Sequence, residues 1–209
     1  MASADFQQLR HNLLVSYEGA ADRRDRQDKP PWKLAERAAF LRRLQRASCV
    51  RLLEIGAGTG QDSVFFASHG LEVVATDLSP AMVARCRDKG LDARVMDFGQ
   101  LGFPPESFDA VHAMNCLLHV PNAELRAVLA GIARVLRPGG LFFLGVYGGT
   151  GEEGPAASDD HVPARFFSWR TDEQILQFAS QSFEIIDFHV VQSGTQHRFQ
   201  SLTLRREAT

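Results

Sequence analysis

The 209 residues predict an α/β fold: a three-layer sandwich built on a mostly parallel, seven-stranded sheet that ends in an antiparallel hairpin, with an N-terminal helical cap. Three observations predict it. Short apolar runs alternate with helical stretches from residue 50 to 147. A glycine-rich turn closes the first run and opens a helix. The last two apolar runs flank Gln192-Ser193-Gly194-Thr195, a hairpin signal.

Residues 1–48 form the cap and 49–209 the main unit of what reads as one structural domain, as the length implies. Leu34, Ala38, Leu41 and Leu44 recur at helical spacing and should bury one face. The charge run Arg23 to Lys29, ended by Pro30-Pro31, reads as a solvated loop. Val50–Ile55 is the first strand and Gln61–Ser68 the helix after it. Glu72–Thr76 is the second strand. Ser79 caps the next helix, with Pro80 in its first turn. Strands over Ala93–Met96, Phe108–Met114 and Leu141–Val146 follow, with a helix over Glu124–Leu136 stopped by Pro138-Gly139-Gly140. Gly148–His161 reads as a loop. A helix over 171–180 is capped by Thr171, and strands over Phe183–Val191 and Gln196–Leu204 close the sheet.

Composition narrows the function. Hydrophobic residues are 44% and charged residues 23%, with a net charge of -2, which disfavours a nucleic-acid surface. The longest apolar run, Leu141 to Val146, falls far short of the roughly 20 residues a membrane helix needs. The first residues lack the basic and apolar regions of a secretory signal. Cys49, Cys86 and Cys116 form no close pair, which suits a reducing compartment. A cytoplasmic protein is expected, with no membrane and no nucleic-acid partner, as a monomer or homodimer.

The strongest local signal is Glu54-Ile55-Gly56-Ala57-Gly58-Thr59-Gly60. Glycines at a strand's carboxyl end let a ligand approach the backbone, and the helix that follows offers free N–H groups. Asp77 closes the second strand, where a carboxylate can accept from both hydroxyls of a ribose. Gln61 replaces the third glycine of the dinucleotide fingerprint, which disfavours nicotinamide and flavin. No Gly-Lys-Ser/Thr follows, so a phosphate-cradling loop is excluded.

With Asp77-Leu78-Ser79-Pro80-Ala81-Met82, Asp97-Phe98, Phe108-Asp109-Ala110-Val111 and Leu136-Arg137-Pro138-Gly139-Gly140, the stretch from 50 to 147 resembles the class I, Rossmann-like methyltransferases that use S-adenosyl-L-methionine. The resemblance implies that cofactor and its demethylated product, S-adenosyl-L-homocysteine. It implies that Gly56, Ala57, Gly58 and Gly60 form the loop around the methionine part, with Glu54 helping to place the ammonium. Asp77 would hold the ribose, Leu78 and Met82 would lie beside the adenine, Asp97 would accept from its amino group, and Phe98 would flank the ring. Asn115 would face the cofactor.

The expected acceptor is a small molecule methylated at oxygen, nitrogen or an activated carbon. The alternatives are a protein or RNA methyltransferase and a non-catalytic nucleoside-binding protein. His119 is the first candidate base and His161 the second. Tyr17 and Trp32 on the cap, and Arg165 and Trp169 in the segment 158–170, are candidate acceptor contacts; Arg170 is another, since Arg forks match carboxylates. Arg37 and His197 are weaker candidates. No metal is expected, although Asp159-Asp160-His161 leaves a magnesium site open.

Overall fold

The computed structural model describes residues 4–156, 159–194 and 198–208. Helices α1 (Ala4–Glu18), α2 (Ala21–Asp25) and α3 (Pro31–Arg46) precede β1 (Arg51–Ile55) and α4 (Gln61–Ser68). Next come β2 (Glu72–Asp77), α5 (Pro80–Asp88), β3 (Asp92–Val95) and β4 (Phe108–Met114). A 3-10 turn over Leu117–His119, α6 (Asn122–Val135) and β5 (Leu136–Gly148) follow, then β6 (Glu152–Pro155) and β7 (Phe166–Trp169). Helix α7 (Asp172–Ala179), β8 (Glu184–Val191) and β9 (Arg198–Arg205) complete the chain.

The main sheet has the order β3-β2-β1-β4-β5-β9-β8. Its first five strands run parallel, and β9 is antiparallel to both β5 and β8. The order reverses between β1 and β4, and ligands of open α/β sheets sit beyond the carboxyl ends at such a point.

Strand alternation divides the core into two layers. Leu53, Val74 and Val111 face one side, where Leu125, Leu129 and Ile132 of α6, Ile175 of α7, and Phe6 and Leu13 of α1 cover them. Leu52, Ala110 and Phe143 face the other, under Phe40, Leu41 and Leu44 of α3 and Phe66 of α4. The cap therefore shares both cores with the sheet. Its packing face is Phe40-Leu41-Leu44; Leu34 is exposed, so the expected stripe is displaced by part of a turn.

Three expectations change. Helix α6 ends at Val135, and β5 already begins at Leu136, with Leu136 paired to Phe108 across a register shift. The segment 148–161 is not all loop: β6 pairs with β7 from Glu152↔Trp169 to Pro155↔Phe166, a small second sheet lying over the end of the first. The charge run is not all loop: its first residues, Arg23 to Asp25, belong to α2, whose Asp25 pairs with Lys89 just after α5. Thr171 caps α7 in a reciprocal box with Gln174. No helix among the described residues is long and apolar enough to cross a membrane.

Candidate active site

The carboxyl end of β1 meets the carboxyl end of β4 at the switch point. Gly56 has φ +66°, and a Cβ there would drive into the Cβ of Cys116. Only glycine lets the two strand ends approach this closely. Gly58 has φ +55°, and a Cβ there would meet nothing within 4 Å, so its backbone faces open space. Gly60 begins α4, where a Cβ would press on Leu91 and Cys86; its role is packing.

Asp77 is tied to this loop. Its Oδ2 accepts from the Gly58 N–H at 2.8 Å and its Oδ1 from the Ser79 N–H at 2.9 Å. Burial raises the Asp77 carboxyl's pKa, against the two backbone N–H groups that favour the carboxylate. Each oxygen keeps accepting capacity for a hydroxyl. Beside Asp77, Leu78, Met82, Met96, Phe98 and Leu13 line an apolar slot.

Asn115 sits at φ +58°, donates its N–H to the Gly145 carbonyl at 2.7 Å, and turns its side chain toward the same cavity. Its buried Oδ1 accepts nothing within the protein. Such an atom is costly unless a ligand donor meets it. Glu54 also borders the cavity, with Ser63 Oγ donating to its Oε2 and His112 Nδ1 3.4 Å from its Oε1. Below it, Asp62 is held by Lys29 and, at 2.9 Å, by Arg37. Burial would raise the Asp62 carboxyl; Lys29, His112 and Arg37 outweigh it and hold the group low.

On the outer side, side chains remote in sequence converge. His119 is 5% exposed and its Nδ1 lies 2.7 Å from the Phe166 carbonyl oxygen. Nδ1 must therefore carry the proton, which leaves the Nε2 lone pair to accept from the Tyr17 hydroxyl at 2.9 Å. Burial pulls the His119 pKa down to about 4, and Arg165 and Arg24 add to the effect. Arg165 donates to the Tyr17 oxygen at 3.0 Å while gripping Asp159 at 2.8 Å. Asp159 is held well below the usual carboxylate range, because the Arg165 and His161 hydrogen bonds outweigh its burial. The cavity shared by Tyr17, His119, Arg165, Phe167, Asn115 and the glycine loop has a volume of about 410 Å³.

Sequence-predicted residues divide accordingly. Gly56, Ala57, Gly58, Glu54, Asp77, Leu78, Met82, Phe98, Asn115, Tyr17, Arg165 and His119 border the connected cavities. Asp97 does not: Arg10 takes Oδ2 and the Gly99 N–H takes Oδ1 at 2.7 Å. His161 stands at an outer vestibule, its Nδ1 2.9 Å from Asp159. Trp169 is buried against Phe167, stacked at 5.3 Å, and Trp32 packs on Phe199 at 4.6 Å; neither borders these cavities. Arg170 is buried among the carbonyls of Leu117 and Val120 and the amide of Asn122, so it braces the segment after β4. His197 lies outside the described residues. Sequence reasoning missed Arg24 and Lys33, which border the cavity; the first was hidden in the charge run, the second among helix-surface residues.

Residues 52–140 match the model of the methyltransferase domain family. The chain is 38% identical over 133 residues to a phosphatidylethanolamine N-methyltransferase of Cereibacter sphaeroides, covering 58% of this chain and 64% of that protein. It is 40% identical over 101 residues to a ubiquinone biosynthesis O-methyltransferase of Xanthomonas oryzae, covering 45% of this chain and 41% of that protein. The chain thus spans less than two thirds of the length of these relatives. In fold, it superposes on Burkholderia thailandensis 1,6-didemethyltoxoflavin-N1-methyltransferase with a TM-score of 0.76 and 21% identity, covering 99% of this chain and 91% of that one. Residues 52–140, which hold the glycine loop and Asp77, are thus similar to the methyltransferase domain family, and the strand order is that of an open α/β sheet.

Proposed function

We propose that this chain methylates a small molecule at oxygen, nitrogen or an activated carbon, with S-adenosyl-L-methionine as donor. The observation that supports this most is a continuity: the slot of Asp77, Leu78, Met82 and Phe98 opens past Asn115 onto the cavity where Tyr17, His119 and Arg165 converge. The donor supplies an electrophilic methyl on a sulfonium. What remains for the protein is to place the nucleophile in line with it and to exclude water, worth about 7–11 kcal/mol of the barrier.

Asp77 receives the ribose hydroxyls, the open backbone at Gly58 receives the methionine part, and Asn115 Oδ1 receives a donor N–H. Leu78, Met82 and Phe98 sandwich the adenine. Asp97 belongs to this set only if Arg10 releases it.

Tyr17 is the group that touches the acceptor. Its proton is committed to His119 and one lone pair to Arg165, which leaves one accepting direction on its oxygen for an acceptor N–H or O–H. His119 acts as a positioning residue: with a pKa near 4 it stays neutral at physiological pH and holds the phenol by its lone pair. His161 supports the same network through Asp159. The enzyme is read as cytoplasmic, with residues 1–48 forming the roof of the site over the 49–209 unit.

Calorimetry with S-adenosylhomocysteine, followed by transfer of labelled methyl to a panel of small amines, phenols and acids, tests this reading. Micromolar product binding and label in a small molecule are expected. Absence of heat on folded protein sinks it.

A further inference from the structure

Most charged groups around the reaction cavity are already answered. Lys29 and Arg37 meet Asp62, Arg165 meets Asp159, Ser63 donates to Glu54, and two backbone N–H groups meet Asp77. Two cations are not. The Lys33 ammonium stands 5.3 Å from the ring centres of both Trp32 and Tyr147 and borders the cavity. The Arg24 guanidinium lies 5.1 Å from the ring centre of Tyr17 and borders both this cavity and the adenosyl slot. Among the described residues, neither makes an ion pair with a carboxylate within 4.0 Å.

The arrangement costs free energy as it stands. Burial pulls the Lys33 pKa down to about 8, and the charges of Lys29 and Arg24 push it the same way. Aromatic faces offer such cations only modest compensation. The donor does not answer them: its ammonium and sulfonium outnumber its one carboxylate, and Asp28, Glu54 and Asp62, the carboxylates that border this cavity, make no ion pair with either cation within 4.0 Å.

Resting on the reading of this site as a donor pocket joined to an acceptor cavity, we propose that Arg24 and Lys33 clamp an anionic group, a carboxylate or phosphate, carried by the methyl acceptor. The substrate class is thereby an acid or a phosphate ester of small size, its anion held at the Lys33–Arg24 side and its nucleophile delivered to Tyr17. An Arg fork and a Lys point charge suit such a group. The cations sit on α2 and on the first turn of α3, so the cap selects the substrate as well as covering it.

Inorganic sulfate, which does not titrate near neutral pH, is the probe. It is titrated at constant ionic strength into protein saturated with S-adenosylhomocysteine. Wild type should bind one sulfate; Lys33→Gln and Arg24→Gln should each weaken it about tenfold or more. Lys33→Arg, which keeps the charge, should retain binding, and all three variants should bind S-adenosylhomocysteine as wild type does. No sulfate binding by the loaded wild type overturns the clamp. So does a tenfold loss of S-adenosylhomocysteine affinity in Lys33→Gln or Arg24→Gln, since the cations would then hold the donor's own carboxylate. A wild type that fails to bind S-adenosylhomocysteine overturns instead the reading of the site on which the clamp rests.

Discussion

The two sides of the cavity to which we assign donor and acceptor are built from different materials. The donor side leans on backbone: Gly56 and Gly58 in left-handed conformations and the Gly58 and Ser79 N–H groups fixed on the Asp77 carboxylate, beside the orphaned side-chain oxygen of Asn115. The acceptor side is a chain of side chains, Tyr17 to His119 and Arg165 to Asp159, drawn from the cap, the turn after β4 and the segment 159–170. A backbone site is rigid and suits a ligand that never changes. A side-chain site can be re-specified one residue at a time, which suits a ligand that differs between relatives.

Substitutions on each side should separate these halves, and the largest effect is expected on the acceptor side. Tyr17→Phe should lower kcat about 100-fold, the scale of a misplaced nucleophile, while calorimetric affinity for S-adenosylhomocysteine stays unchanged. Equal loss of both would erase the division. On the donor side, Gly56→Ala forces a Cβ into Cys116 at positive φ. The strain, about 1–3 kcal/mol, should weaken S-adenosylhomocysteine by about 10- to 100-fold.

The third test concerns pH. The folded pKa of His119 lies below its unfolded value, so between about 4 and 6.5 the unfolded chain binds the proton that the folded chain refuses. Stability is therefore full above pH 6.5 and falls as pH drops toward 4, by about 3 kcal/mol in total for this group. Denaturant titrations from pH 7 to 4 should show the decline, and His119→Asn should flatten part of it. The smallest effect serves as a control: Thr171→Ala removes the α7 cap, costs about 1 kcal/mol, and should lower Tm without touching either half of the site.

The two halves were unequally legible in the sequence. The parallel strands, the hairpin and the loop Gly56–Gly60 follow from local periodicity and from glycines within a few residues of one another, and Asp77 from its place at a strand end. The acceptor network spans 102 residues from Tyr17 to His119 and 148 from Tyr17 to Arg165, distances over which no local pattern reports. Trp169 and Arg170 look functional by composition, yet one closes the small β6–β7 sheet and the other satisfies loop carbonyls. Asp97 matches its motif by position but meets Arg10 of the cap, a partner no motif specifies. Strand β6, with Gly154 and Pro155 at its end, lacks any apolar alternation and exists because β7 pairs with it.

The oxygen that fixes the His119 tautomer is the main-chain carbonyl of Phe166. A main-chain atom has no identity to lose by mutation. Of the segment 159–170, the side chains outside the Asp159–Arg165 pair and the buried Arg170 can therefore be exchanged over evolutionary time, admitting new acceptors, while the imidazole beneath keeps presenting the same face to the phenol.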